Sequence, residues 1–334
     1  MVAKSSRLIN QAYRFSVAPM LDCTDSHFRV LMRQISRRAL LYTEMVVANA
    51  LHHTDRKDRL LNFEAIENPI ALQIGGDNPK LLSEAAKLAE EWGYDEINLN
   101  VGCPSQRVQA GSFGACLMAS PDKVARCVEA MSESTQLPVT VKHRIGIDNL
   151  DSDELLKNFV DQVASAGAKR FVVHARKAWL KGLNPKQNRT IPPLQYERVA
   201  KLKEQSPQLT IELNGGIETT TDCLKALKTF DGVMVGRAAY AHPLRWNKID
   251  EIIYGEESRF INASGVIRAL IPHAQNHLNK DGKLWDICKH ILQLVEGVPG
   301  ARSWRRELGL NAQKSTAEIN ILETAAQQLE DVGL

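Results

Sequence analysis

The chain has 334 residues, 44% hydrophobic and 24% charged, with a formal net charge of +3. That is enough for one large α/β domain plus a small extra one, and it excludes a disordered or fibrous chain. No run of about eighteen apolar residues occurs, and the opening Met1-Val2-Ala3-Lys4-Ser5-Ser6-Arg7 lacks the apolar core of a secretory signal, so a cytoplasmic protein without a membrane span is expected.

In chain order, short apolar runs at 15–20, 40–47, 70–74, 96–101, 138–144, 170–176, 210–214 and 232–236 read as strands, each followed by turn residues and most by a helix-length segment. Asn78-Pro79 and Ser120-Pro121 each supply an N-cap and a first-turn proline, for helices over 80–92 and 122–131. A further helix over 151–166 stops at Gly167. Eight strand–helix repeats in roughly 230 residues fit a (β/α)8 TIM barrel, which typically takes about 250. An open doubly wound sheet is the alternative, but it calls for a Gly-x-Gly-x-x-Gly turn, which the chain lacks. After Leu244 the strand pattern ends, and 258–278, 283–294 and 315–331 read as helices, the last opened by a Ser315–Glu318 capping box. The expected organisation is a catalytic barrel over 12–245 and a small all-helical domain over 246–334.

The stretch from Glu96 to Ser105 is the most informative. Ile97, Leu99 and Val101 alternate with Asn98, Asn100 and Gly102, and Gly102-Cys103-Pro104 then breaks the strand. A cysteine is thereby presented just beyond a buried strand, where α/β proteins place reacting groups. A structural cysteine beside a tight turn satisfies the same ten residues. The six cysteines (23, 103, 116, 127, 223 and 288) show no Cys-x-x-Cys pair and no nearby His spacing, so neither a metal site nor a disulfide framework is expected.

Parity carries the argument across the other strands. If Ile70, Leu72, Ile74, Val139, Val141, Phe171, Val173, Ile211 and Leu213 face the helices, then Gln73, Asn100, Lys142, His174 and Asn214 point into the barrel mouth. Structural barrel interiors favour branched apolar residues, so five polar ones read as a ligand-binding ring. Asn214-Gly215-Gly216 follows the seventh strand and Gly236-Arg237 the eighth. Those loops commonly bind phosphate, with glycine backbone approaching the anion and arginine gripping it. A single phosphate site, a lysine and several amides suit FMN, since Lys142 can stabilise negative charge on the reduced ring.

Taken together, Ala18-Pro19-Met20, Gln73-Ile74-Gly75-Gly76, Asn98 to Pro104, Val141-Lys142-His143-Arg144, His174-Ala175-Arg176, Asn214-Gly215-Gly216 and Gly236-Arg237 resemble the motifs of the tRNA-dihydrouridine synthases, in that family's order. The segment from Ala178 to Arg189 resembles its bacterial A subfamily, taken to modify positions 20 and 20a of the tRNA D-loop. The resemblance implies that Ala18, Pro19, Met20, Gln73, Lys142, His174, Asn214, Gly215, Gly216, Gly236 and Arg237 hold FMN. It also implies NADPH as reductant, Cys103 as proton donor and Asn100 as a contact to the target nucleotide. Hydride would pass from N5 of reduced FMN to uracil C6, and a proton from Cys103 to C5. A thiol with the ordinary pKa of about 8.5 is mostly protonated at neutral pH, as a general acid requires. The loop over 109–115, with Gly111 and Gly114, could cover the substrate, and the uracil must leave its stack to reach the flavin.

For RNA, Arg176, Lys177, Lys181, Lys186 and Arg189 form a segment without acidic residues, and Arg302, Arg305 and Arg306 cluster beside Trp304. Such groups neutralise phosphates and stack on bases. The resemblance favours Lys186, Arg189, Arg302 and Arg305 as tRNA contacts. A monomer with no protein partner is expected. The competing enzyme is a dihydroorotate-dehydrogenase-like FMN oxidoreductase acting on a free pyrimidine, which gives the basic segment and the helical domain no purpose. A flavin-free sugar-phosphate barrel and a tRNA-binding chaperone without chemistry are further readings, set apart by flavin colour.

Overall fold

The computed structural model describes residues 11–259 and 261–334; the N-terminal stretch read above for a signal lies outside them. Nine parallel strands form one closed sheet: β1 (Phe15–Val17), β2 (Leu40–Tyr42), β3 (Val46–Val47), β4 (Ile70–Gly75), β5 (Glu96–Val101), β6 (Val139–Arg144), β7 (Arg170–His174), β8 (Thr210–Asn214) and β9 (Gly232–Val235). β1 pairs with both β2 and β9, and β4 pairs with β2 and β3, so the ring closes as an eight-position barrel.

The run at 40–47, expected as one strand, is interrupted. β2 pairs Tyr42 with Ala71 and β3 pairs Val46 with Ile74, so this side advances four residues while β4 advances three. The extra residue is a bulge. Thr43 bridges it: its N–H donates to the Ala71 carbonyl at 3.0 Å and its Oγ1 accepts the Gln73 N–H at 3.0 Å.

The expected parity holds. Ile70, Leu72, Ile74, Ile97, Leu99, Val101, Val141, Phe171, Val173 and Ile211 are buried in the large core between sheet and helices. That core receives the amphipathic helices Pro79–Glu91, Pro121–Ser132 and Asp153–Ser165, the first capped by Asn78 Oδ1 on the N–H groups of Lys80 and Leu81. The barrel floor is polar. Arg170 lies between Glu96 and Glu212, Tyr42 Oη donates to Glu96 Oε1 at 2.9 Å, and Ser16 Oγ donates to Glu212 Oε2 at 3.0 Å. Burial pushes Glu212 up to about 7 against the pull of Arg170.

After the barrel, Ile249–Tyr254 packs back on β1. Tyr254 Oη donates to the Ala12 carbonyl and accepts the Phe15 N–H, at 2.9 and 3.1 Å. Four longer helices follow, Ala263–Leu278, Leu284–Ile291, Ala301–Ala312 and Asn320–Glu330, where three were expected. The additional one buries Ala301, Trp304, Leu308 and Ala312 on a single stripe. The Ser315–Glu318 capping box does not form, because those residues lie in the connection after Ala312 and the last helix begins at Asn320 without a side-chain cap. This helical region docks on the barrel helix Ser26–Ile35, where Lys289 and His290 meet Asp25 at 2.7 and 2.8 Å.

Candidate active site

The strand ends converge on a cavity of about 300 Å³ at the C-terminal mouth of the barrel. The one-residue stagger between neighbouring strands of such a barrel puts Gln73, Lys142 and Asn214, from alternate strands, in one layer, with Asn100 and His174 in the interleaved one. The layer is bonded across: Lys142 Nζ donates to Asn214 Oδ1 at 3.0 Å, and Asn214 Nδ2 donates to the Met234 carbonyl at 2.8 Å. Ala18, Pro19 and Met20 reach the cavity from the end of β1, where the Ala18 N–H donates to the Val235 carbonyl at 2.8 Å.

The two glycine sites have a backbone reason. Gly215 and Gly216 adopt φ of +107° and +72°, which L side chains rarely take. A Cβ on Gly216 would lie 2.4 Å from Leu194 Cδ1 and 2.6 Å from Tyr196 Oη. At Gly236, a Cβ would stand at an ordinary 3.7 Å from Ala18 Cβ and Met20 Sδ, two residues that also line the cavity. Arg237 follows it on the rim, with a long contact from its guanidinium to the Arg189 carbonyl at 3.3 Å.

The cavity is electropositive. Burial, with Arg144 nearby, pulls Lys142 down to about 7. Burial and the same arginine hold His174 well below the usual imidazole range, and its buried Nδ1 has no hydrogen-bond partner. Arg144 itself is drawn down to about 10, mainly by burial and further by Arg189 and Arg176.

Of the expected cofactor residues, Ala18, Pro19, Met20, Lys142, His174, Asn214, Gly215, Gly216, Gly236 and Arg237 all line this cavity. Gln73 does not. It is 1% exposed, donates from Nε2 to Asn98 Oδ1 and accepts Asn100 Nδ2, both at 2.8 Å. Asn100 in turn takes the N–H groups of Gly102 and Cys103 on Oδ1, at 3.1 and 2.9 Å. A chain of amides therefore shapes the turn that carries Cys103, which is partly exposed. Beyond it, Ser105 caps the short helix Gln106–Ala110, and Ala115 N–H donates to the Cys103 carbonyl at 2.9 Å.

Arg144, quoted in a motif but given no role, proves central. It is 5% exposed and donates to the carbonyls of Gly102, Lys177 and Asn188 at 2.9, 3.1 and 3.0 Å, fastening the cysteine turn to the basic segment. The signal was available: Arg144 shares its strand face with Thr140 and Lys142. Glu218, His242 and Arg245 also line the cavity and were missed, since the first two lie on connections and Arg245 on the four-residue 3-10 helix Pro243–Trp246, too short to show a period.

Among the expected RNA contacts, Arg189 lies at the cavity itself, while Lys186 is exposed on the segment that Asn188 pins through Nδ2 to the Trp179 carbonyl at 2.8 Å. Arg302 is exposed and Arg305 half-buried on Ala301–Ala312. Trp304 is no stacking platform: it is 7% exposed and its Nε1 donates to the Ala325 carbonyl at 3.0 Å. The helical region does reach the mouth, because Glu296 meets His242 on the cavity wall.

A model of the family described as Dihydrouridine synthase (Dus) matches residues 16–330. A tRNA-dihydrouridine(20/20a) synthase of Synechocystis sp. is 54% identical over 312 residues, covering 93% of this chain and 93% of the relative. Proteins of the same name from Shewanella oneidensis and Escherichia coli K12 are each 50% identical, covering 95% of this chain and 94% and 92% of their own lengths. No helix among the described residues is long and apolar enough to cross a membrane.

Proposed function

Because the chain belongs to the dihydrouridine synthase family, a flavin-dependent family of oxidoreductases, we propose that it reduces uridine to 5,6-dihydrouridine at positions 20 and 20a of the tRNA D-loop, with FMN as its flavin. The observation that carries this reading is the cavity: a cluster of buried and rim cations beside glycine backbone, with Cys103 on the neighbouring turn.

The residues fit a phosphate-bearing, electron-rich ring. Gly215 and Gly216 supply backbone at positive φ on the cavity wall, Arg237 supplies a guanidinium, and the buried Nδ1 of His174 has no partner among the described residues. When bound, FMN reduced by NADPH supplies the hydride taken by C6 of the uracil. Cys103 gives its thiol proton to C5, which converts the C5–C6 double bond to a single bond. The thiolate left behind lies within electrostatic reach of Lys142, Arg144 and Arg189, which stabilise it until solvent returns the proton. Asn100 holds the turn that carries Cys103 and, in this reading, contacts the target nucleotide. Lys142, tethered by Asn214, compensates negative charge on the pyrimidine side of the cofactor.

Residues 12–245 carry the chemistry in this reading, and 246–334 help hold the tRNA. Lys186, Arg189, Arg302 and Arg305 face phosphates in a monomeric, cytoplasmic enzyme. Incubating unmodified tRNA with the protein and NADPH, then mass-mapping D-loop fragments, tests it: a gain of two hydrogens at uridine 20 or 20a is expected. Reduction of free pyrimidine but not of tRNA overturns it.

A further inference from the structure

A second cluster of chemistry-bearing groups lies away from the cavity, where the helical region meets the barrel helix Ser26–Ile35. His27 comes from that helix, His277 from Ala263–Leu278 and Asp286 from Leu284–Ile291. One ligand atom of each lies within 4.8 Å of the others, and all three residues are half-buried. His277 Nε2 is already 3.0 Å from Asp286 Oδ2.

The hydrogen bonds around His27 determine which nitrogen is free. The Glu64 carboxylate can only accept, so His273 Nδ1, 2.7 Å away, must donate to it. With both imidazoles in the neutral form that metal ligation requires, His273 Nε2 is then the acceptor and His27 Nδ1, 2.8 Å from it, the donor. The Nε2 of His27 therefore carries an unprotonated lone pair. A carboxylate–histidine relay that fixes a tautomer in this way is the usual support behind a metal-bound imidazole.

We propose that His27, His277 and Asp286 form a site for a zinc-type divalent cation, oriented by His273 and Glu64, that clamps the helical region to the barrel. Two imidazoles and a carboxylate suit zinc, with water as the fourth ligand. Tetrahedral zinc at about 2.0–2.1 Å from each donor needs donor separations of roughly 3.3 Å. The His277–Asp286 pair is near that spacing, and His27 closes the remainder by a side-chain adjustment. The cation takes the place of the proton now shared between His277 and Asp286. His277 and Asp286 lie nine residues apart on successive helices, but His27 is distant in sequence, so only the docking of those helices on the barrel assembles the three.

The test uses the full chain, dialysed against a chelator and titrated with zinc chloride by calorimetry, with cobalt chloride as a visible-absorbing probe. One zinc per chain, a higher unfolding midpoint with zinc and a tetrahedral cobalt spectrum are expected. His27→Gln and Asp286→Asn should each abolish binding. Glu64→Gln, at a half-exposed position outside the ligand set, should keep the fold and weaken binding about 10–100-fold by releasing the relay. Cys103→Ala should bind zinc as the parent does. No stoichiometric binding by the parent, equal affinity in Asp286→Asn and Glu64→Gln, or loss of binding in Cys103→Ala alone overturns the site.

Discussion

Lys142 gives the sharpest prediction, because its environment sets both the sign and the size of a pH effect. Without cofactor, burial and Arg144 hold its pKa at about 7. An anionic cofactor seated beside it favours the ammonium, so the pKa in the complex lies higher, toward the ordinary lysine value of about 10.4. Below pH 7 both states carry the lysine proton, so Lys142 adds no slope to flavin affinity there. Above pH 7 the free protein has lost it while the complex keeps it, so binding takes up a proton and weakens by up to about tenfold per pH unit, or about 100-fold between pH 7 and 9. The FMN phosphate adds no slope there, since its second ionisation near pH 6 is complete. Flavin-fluorescence titrations across this range, with calorimetry in two buffers of different ionisation enthalpy to count protons, measure the effect. Lys142→Met should bind more weakly at pH 7 and show no slope. A flat parent profile, or the same slope in the methionine variant, refutes the reasoning.

Three further outcomes follow from the site. Cys103→Ala should keep its flavin and lose about 10²–10⁴ in turnover, the usual worth of a placed general acid; single-turnover assays at saturating tRNA check it, and undiminished turnover removes the thiol from the reaction. Arg237→Ala should loosen FMN by about tenfold or more, as loss of a charge-assisted bond to phosphate does, read as flavin retained after dialysis. Arg302→Glu with Arg305→Glu should raise KM for tRNA and flatten its salt dependence without altering flavin content; unchanged KM takes Ala301–Ala312 out of the tRNA footprint.

What could be read in advance was governed by period within single elements. The alternation in β4 to β8 places Gln73, Asn100, Lys142, His174 and Asn214 inward because a strand buried on both faces allows only two side-chain directions. The bulge at Thr43 leaves no such trace, since the run at 40–47 stays mostly apolar through an inserted residue. The Ala301–Ala312 helix was obscured by three arginines and Gly309, although its buried positions recur at helical spacing. Trp304 shows the limit more clearly. Its neighbours suggested an RNA-facing ring, yet the same spacing that makes the helix turns the indole onto Ala325.

Gln73 combines both cases. Parity correctly pointed its amide inward, but availability to a ligand depends on what neighbouring strands offer. Asn98 and Asn100 engage both ends of that amide, at 2.8 Å each. Through Asn100 the same bonds reach the N–H groups of Gly102 and Cys103. The residue expected to touch the flavin thus supports the turn that carries Cys103. Its replacement should disturb the placement of Cys103 while leaving the cavity lining in place, a coupling that no single-strand pattern contains.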